Sequence, residues 1–294
     1  MSKATSVFQL WHEGDGKLGT EEIKKYVKEL DMDRVISHSL SFFPAECNAA
    51  VRNANLLLDH VFWFQQKWDM EQTAIPYRME VLNWQLSANG DEEWTFMLNR
   101  HEYLFDLIIA YYISRNDTYL IKWKELILHW IDHNPVSDQE SSKAWRTIDT
   151  GIRCASWVKG MLHLISLNFI TFEEREIILS SLRDQVLSLK GRYTAKYTLS
   201  NWGVLQTTGM ISYLIWFGED EKEADLLTWA FQTLEEQLRL QIMDDDMHWE
   251  QSPLYHVQGS YFLYASTALS KTALFRSQAE YEENSFRHVQ SRSL

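Results

Sequence analysis

Residues 94–114 read WTFMLNRHEYLFDLIIAYYIS, and this stretch decides the fold class. Its apolar side chains recur at helical spacing and share one face: Leu98, Phe105, Ile108, Ile109 and Tyr112. The pattern predicts one amphipathic helix over 94–114. Asn116 and Asp117 follow it, and these residue types commonly end one helix and begin the next.

The rest of the chain repeats this alternation of helix and short break. Helices are predicted over 118–133, 145–167, 172–189 after a Thr171 cap, 201–217, 221–243 and 255–275, with shorter ones over 20–30 and 49–66. The chain has only 11 Gly and 4 Pro, too few for a fold made of strands and tight turns. The prediction is therefore an all-α protein made of antiparallel helical hairpins.

Composition excludes several classes of function. A formal net charge of −13 argues against a general nucleic-acid binder, because phosphate contacts need clustered Lys and Arg. The two cysteines, Cys47 and Cys154, supply neither a disulfide framework nor a zinc ligand set. No apolar run is long enough for a membrane span or a signal segment. The expected location is cytoplasmic, or secreted or periplasmic if a signal segment has been removed.

Two polar segments interrupt the apolar pattern and carry the candidate chemistry. The first polar segment is LSNWGVLQ at 199–206, and the second polar segment is WEQSPLYH at 249–256. The second one brings a carboxylate, a phenol and an imidazole close together, and such groups transfer protons. The chain also contains 13 Trp and 13 Tyr, whose rings pack between helices or line sugar-binding clefts. Together these features indicate a sugar-processing site.

Motifs for a metal are weak. HEYLF at 101–105 begins like a zinc-protease helix, but Phe105 stands where the second histidine is required. His129 and His133 are spaced to share an ion, but no third ligand is evident nearby. We expect no metal and no cofactor.

A series of short motifs gives a more specific indication. In chain order they are LNRH at 98–101, YY at 111–112, WI at 130–131, NP at 134–135, WRTIDTGIR at 145–153, SNWG at 200–203 and EQSPLYH at 250–256. The series resembles the N-terminal domain of the heparinase II/III-like polysaccharide lyases over about residues 60–270. The resemblance implies an incomplete α/α toroid, a ring of helical hairpins around a cleft. We assign the toroid to 91–275, a helical extension packing on it to 1–90, and a polar tail to 276–294.

The resemblance also implies a reaction, β-elimination on an acidic polysaccharide or oligosaccharide that contains uronic acid. By resemblance, Asn201 neutralises the uronate carboxylate and Tyr255 transfers the proton. The other residues expected at the substrate are Arg100, Arg146 and Arg153 for anionic groups, Trp202 as a cleft wall, and Glu250 and His256 as support for Tyr255.

The chain departs from the family pattern at two points. Many relatives carry Asn-His where this chain has Asn201-Trp202. Relatives also continue into a C-terminal β-sandwich domain that contributes a catalytic histidine, so we expect that domain as a missing partner.

Two other functions stay open. One is a truncated, non-catalytic carbohydrate-binding toroid. The other is an α/α toroid glycoside hydrolase, in which Glu250 and an Asp of 244–246 would be the two carboxylates. Single residues also have structural explanations, because Asn201 could cap a helix and the arginines could pair with Glu102, Asp106 or Asp149.

Overall fold

The computed structural model describes residues 19–64, 75–138, 140–243 and 247–249. Helices dominate these ranges. They are α1 (Thr20–Glu29), α2 (Met32–Phe42), α3 (Pro44–Leu58), α4 (Glu92–Arg100), α5 (Phe105–Ser114), α6 (Thr118–His133), α7 (Thr147–Ser166), α8 (Phe172–Gly191), α9 (Asn201–Phe217) and α10 (Glu221–Gln241). Strands β1 (Val61–Phe62) and β2 (Tyr77–Arg78) pair antiparallel. No helix in the described part of the chain is long and apolar enough to cross a membrane.

Three helical hairpins form the body of the part of the chain that the structure describes. Short loops join α5 to α6, α7 to α8 and α9 to α10, and the two helices of each pair pack on each other. Helix α7 also packs against α5 and α9, whereas α6 packs against α8. The first helix of each hairpin therefore lies in an inner layer and the second in an outer layer. This arrangement confirms the predicted incomplete α/α toroid.

Burial of α9 agrees with its inner position. Every residue from 203 to 217 is buried, so this helix exposes no side to solvent over that length. A helix that is buried on every side lies inside a core and not at a surface. The outer helices keep a polar exposed side, and α8 and α10 begin with a side-chain cap from Thr171 and Asp220. One example is the reciprocal capping box of Thr171 and Glu174 at the start of α8.

Glycines set how closely the inner helices approach each other. A Cβ atom added to Gly209 of α9 would lie 2.1 Å from the carbonyl oxygen of Gly151 in α7. A Cβ added to Gly151 would lie 2.6 Å from the Cα of Gln206. Backbone atoms cannot give way as flexible side chains do, so this crossing requires glycine on both helices.

The first helices share the core of the toroid. Helix α1 packs on α7, and α3 packs on α5. The main cluster of buried apolar side chains runs without interruption from Ile23 in α1 to Leu234 in α10. The N-terminal helices are therefore integral to the packing of the hairpins.

Two predicted helices differ from the observed ones. Residues 94–114 form α4 and α5, because His101 adopts a left-handed conformation with φ of 61°. The helix predicted over 49–66 begins earlier, at Pro44, and ends at Leu58 before strand β1. The helix predicted over 255–275 lies outside the described residues.

Candidate active site

A buried carboxylate lies at the centre of the candidate site. Asp149 is in the first turn of α7 and its side chain is 0% exposed. Its Oδ1 accepts a hydrogen bond of 2.8 Å from Arg100 Nε, at the end of α4. Arg146, just before α7, donates from Nε to Oδ2 at 2.5 Å and from Nη2 to Oδ1 at 3.1 Å. Two of the three predicted arginines therefore meet on one carboxylate.

Aromatic rings hold Arg146 in place. Its guanidinium carbon lies 3.3 Å from the ring centre of Phe96 and 5.4 Å from that of Trp202. Its Nη1 also donates to Glu93 Oε1 at 3.2 Å. Because Phe96 and Glu93 belong to α4 and Trp202 belongs to α9, Arg146 joins three elements at one place. Cation–π contacts of this kind are electrostatically favourable.

These groups reach the surface. The side chains of Arg100 and Arg146 are each 19% exposed, and Trp202 is 38% exposed. An indole ring with an accessible face beside two guanidinium groups is a surface on which an anionic sugar can stack and form ion pairs.

Asn201 is the first residue of α9 and lies next to Trp202. The helix cap is Ser200, whose Oγ accepts from Trp202 N at 3.2 Å. The alternative that Asn201 caps the helix is therefore wrong. Its side chain is half-buried and lies at the positive end of the helix dipole, where a negatively charged group is favoured.

The loop before α9 is held from two sides. A Cβ atom on Gly203 would lie 1.9 Å from the carbonyl oxygen of Tyr197, so this close approach requires glycine. Gln241, the last residue of α10, donates from Nε2 to Thr198 O at 2.8 Å and to Ser200 O at 3.2 Å. The position of Asn201 is therefore fixed by its surroundings.

Gln241 also contacts the start of the second polar segment. His248 Nε2 lies 3.0 Å from Gln241 Oε1, and Trp249 N donates to the Gln241 carbonyl oxygen at 2.8 Å. Gln241 and His248 are both buried. One side chain thus binds residues next to both polar segments of the sequence.

Arg153 lies elsewhere, and its predicted contact with substrate does not fit its position. Its guanidinium is fully buried, 4.1 Å from the ring centre of Trp130. It donates to Gln185 Oε1 at 2.9 Å and to the carbonyl oxygens of Asn99 and Ala144 at 2.8 and 2.9 Å. Burial lowers the pKa of Arg153 to about 10, so it stays charged near neutral pH. We assign it the role of fastening α7 to α4 and α8.

Three predicted site residues, Glu250, Tyr255 and His256, lie outside the described residues, and so do the aspartates at 244–246. Sequence reasoning missed two residues that the structure does describe, Glu93 and Phe96. The available signal was their helical spacing, since Glu93, Phe96 and Arg100 follow one another at the three- and four-residue intervals that share one side of a helix.

His129 and His133 do not form a chelating pair. Their rings stack in parallel with centres 3.9 Å apart and planes 1° apart, so their in-plane lone pairs do not converge on one point. His129 Nδ1 accepts from Trp84 Nε1 at 3.0 Å. Within the part of the chain that the structure describes, no group of three or more His, Cys, Asp or Glu could hold a metal ion.

The fold and the site define a class, an α/α toroid with arginine and indole groups beside a helix start. The family Heparinase II/III N-terminus matches residues 2–283, and the chain belongs to this family.

Two curated relatives are similar to the chain. A heparin-sulfate lyase of Bacteroides thetaiotaomicron is 24% identical over 210 residues, which cover 68% of this chain and 29% of the relative. A heparin-sulfate lyase of Bacteroides stercoris is 21% identical over 222 residues, which cover 69% of this chain and 32% of the relative. The chain thus spans about a third of the length of these relatives.

Solved structures show the same fold. The heparan sulfate lyase from Pedobacter heparinus superposes with a TM-score of 0.65 at 16% identity, covering 92% of this chain and 45% of that one. A structure of heparinase III superposes with a TM-score of 0.64 at 20% identity, covering 88% of this chain and 42% of that one.

Proposed function

We propose that this chain is the helical domain of a polysaccharide lyase that cleaves an acidic, uronate-containing glycan by β-elimination. The observation that carries the proposal is the contact of Arg146 with Trp202, next to Asn201 at the start of α9, together with the pairing of Arg146 and Arg100 on Asp149. Family membership and the names of the relatives, heparin-sulfate and heparan sulfate lyases, support a glycosaminoglycan as the substrate.

The reaction removes the proton on C5 of the uronate and breaks the bond between C4 and the departing O4, and a double bond forms between C4 and C5. Negative charge builds up on the uronate carboxylate as the proton leaves. The Asn201 amide is a neutral donor, and we assign it a hydrogen bond to that carboxylate that would stabilise the developing charge. Tyr255 is assigned the proton transfer, taking the C5 proton and giving a proton to O4.

The arginines and the indole would bind the rest of the glycan. A guanidinium forms directed, charge-assisted hydrogen bonds with carboxylate or sulfate. Trp202 offers a flat apolar surface for a sugar ring. Because Arg146 lies between Phe96 and Trp202, an anionic group held by it would bring the neighbouring sugar against the indole.

The test is the ultraviolet absorbance of the unsaturated uronate product. The chain is incubated with heparan sulfate, heparin, hyaluronan and alginate, alone and with the C-terminal domain of a relative added. We expect absorbance to rise with a glycosaminoglycan. Absence of the unsaturated product in every arm would contradict the proposal. Hydrolysis without a double bond would identify a glycoside hydrolase, and binding without turnover a carbohydrate-binding toroid.

Three variants assign the roles. Asn201→Asp keeps the size of the side chain but replaces the donor with a negative charge, so the rate should fall by about a hundredfold or more. Tyr255→Phe should abolish turnover while binding persists. Tyr111→Phe removes a phenol from the partly buried face of α5 and serves as the matched control with unchanged turnover.

A further inference from the structure

Two guanidinium groups converge on the single carboxylate of Asp149. The carboxylate is fully buried and accepts from both Arg100 and Arg146 through the same atom, Oδ1. The second carboxylate in the cluster, Glu93, is 42% exposed and contacts Arg146. One carboxylate that solvent does not reach therefore contacts both guanidinium groups.

Two guanidinium groups repel each other at this range, and the repulsion is weakly screened where solvent is excluded. Asp149 overcomes the repulsion because it gives each arginine a charge-assisted hydrogen bond. Its contact with Arg146 is bidentate, so it fixes the orientation of that guanidinium plane as well as its position.

We propose that Asp149 is a positioning residue that holds Arg100 and Arg146 side by side, so that the pair binds one carboxylate or sulfate group of the glycan. This inference rests on the proposed function. Asp149 does not touch the substrate, because its side chain is buried beneath the two arginines. It acts through the geometry of the pair.

Positioning and simple electrostatics predict opposite results when the negative charge of Asp149 is removed. Asp149→Asn makes the site more positive, which would strengthen attraction for an anionic glycan if charge alone mattered. If geometry matters, the arginines separate and binding weakens despite the added charge. Displacement of a functional group by about an ångström can cost about a hundredfold in activity.

The experiment measures binding of a heparin-derived hexasaccharide to the 294-residue chain by calorimetry at low and moderate salt. Asp149→Asn should weaken binding by about tenfold or more. The matched control is Glu92→Gln, which removes one negative charge from the same helix as Arg100, at an exposed residue paired with Lys143. The control should bind as tightly as the wild type or slightly more tightly.

A double-mutant cycle tests whether Asp149 acts through Arg100. In an Arg100→Gln background, Asp149→Asn should weaken binding far less than it does alone. Circular dichroism and the melting temperature check that each variant is folded. If Asp149→Asn does not fold, Arg100→Lys is the alternative test, because it keeps the positive charge but loses the planar set of guanidinium donors. Arg100→Lys should bind the hexasaccharide as weakly as Arg100→Gln does.

Three outcomes would overturn the inference. They are Asp149→Asn binding as tightly as Glu92→Gln, full additivity in the cycle, and Arg100→Lys binding like the wild type. If the wild type binds the hexasaccharide and any of these outcomes is observed, the positioning role of Asp149 is rejected and the proposed function stands. A wild type that binds none of the acidic glycans rejects the proposed function as well.

Discussion

At the scale of single residues, the side chain of Gln206 destabilises the folded protein. It is fully buried in α9, and neither its Oε1 nor its Nε2 has a hydrogen-bond partner among the described residues. An unsatisfied buried polar group costs about 1–3 kcal/mol. We expect Gln206→Met, which conserves volume, to raise the melting temperature by several degrees in a thermal scan.

Gln185 provides the control for that substitution. It is also fully buried in a helix, but its Oε1 accepts from Arg153 Nε at 2.9 Å. Gln185→Met should lower the melting temperature, because it leaves a buried guanidinium with an unsatisfied donor. Equal shifts in the two variants would show that hydrogen bonding does not distinguish these sites.

Asp106 makes stability depend on pH. Burial raises its pKa to about 7, and the hydrogen bond from Asn53 opposes the shift only in part. A carboxyl group whose pKa is higher in the folded state stabilises the protein when protonated. That stability is complete below about pH 4 and is lost as pH rises toward 7.

Asp106→Asn removes this titration. We expect the variant to be more stable than the wild type at pH 8, by roughly 4 kcal/mol, and the difference to disappear near pH 4. Denaturant unfolding of both proteins across this pH range measures the difference. A constant difference at all pH values would mean that Asp106 does not titrate in this range.

Two arginines show what sequence motifs cannot predict about single residues. Arg146 and Arg153 fall in one motif, seven positions apart, and the sequence offers no distinction between them. They differ because α8 covers Arg153 with Gln185, whereas Arg146 lies where α4 and α9 leave an opening. Burial of this kind depends on tertiary neighbours, which single-sequence patterns do not contain.

At the scale of elements, the crossing of α7 and α9 depends on glycine. Gly209→Ala would place a methyl group 2.1 Å from a backbone oxygen and should destabilise the protein by about 1–3 kcal/mol or more. Gly191→Ala is the matched control, since a Cβ there meets nothing within 4 Å. It should be neutral or stabilising by less than about 1 kcal/mol. Urea unfolding compares the two, and equal effects would contradict a tight crossing.

Helix bounds were predicted well wherever breaks have local causes. The bounds of α6 and α9 agree with prediction to the residue, because Asp117, Asn134-Pro135 and Gly218 mark their ends in the sequence. The break at His101 was missed. Its left-handed backbone is uncommon outside glycine. Trp157 Nε1, far along the chain, donates to its Nδ1 at 2.8 Å.

At the scale of the whole molecule, the shared core predicts cooperative unfolding. Because one apolar cluster joins α1 to α10, the N-terminal helices should not melt separately from the hairpins. Ile23→Ala, at a fully buried position in α1, should lower a single midpoint with a loss of about 2–5 kcal/mol. Far-ultraviolet circular dichroism and tryptophan fluorescence should then give coincident curves. An early separate step in either signal would contradict this view.

The amide of Gln241 has a consequence for the molecule as a whole. The first polar segment, which bears Asn201, and the second, which leads to Tyr255, are distant in the sequence. Gln241 holds the backbone of the first through Thr198 and Ser200, and contacts His248 and Trp249 at the edge of the second. A shift of Ser200 or of His248 therefore strains hydrogen bonds of the same side-chain amide. The end of α10 thus ties the start of α9, which bears Asn201, to residues 248–249.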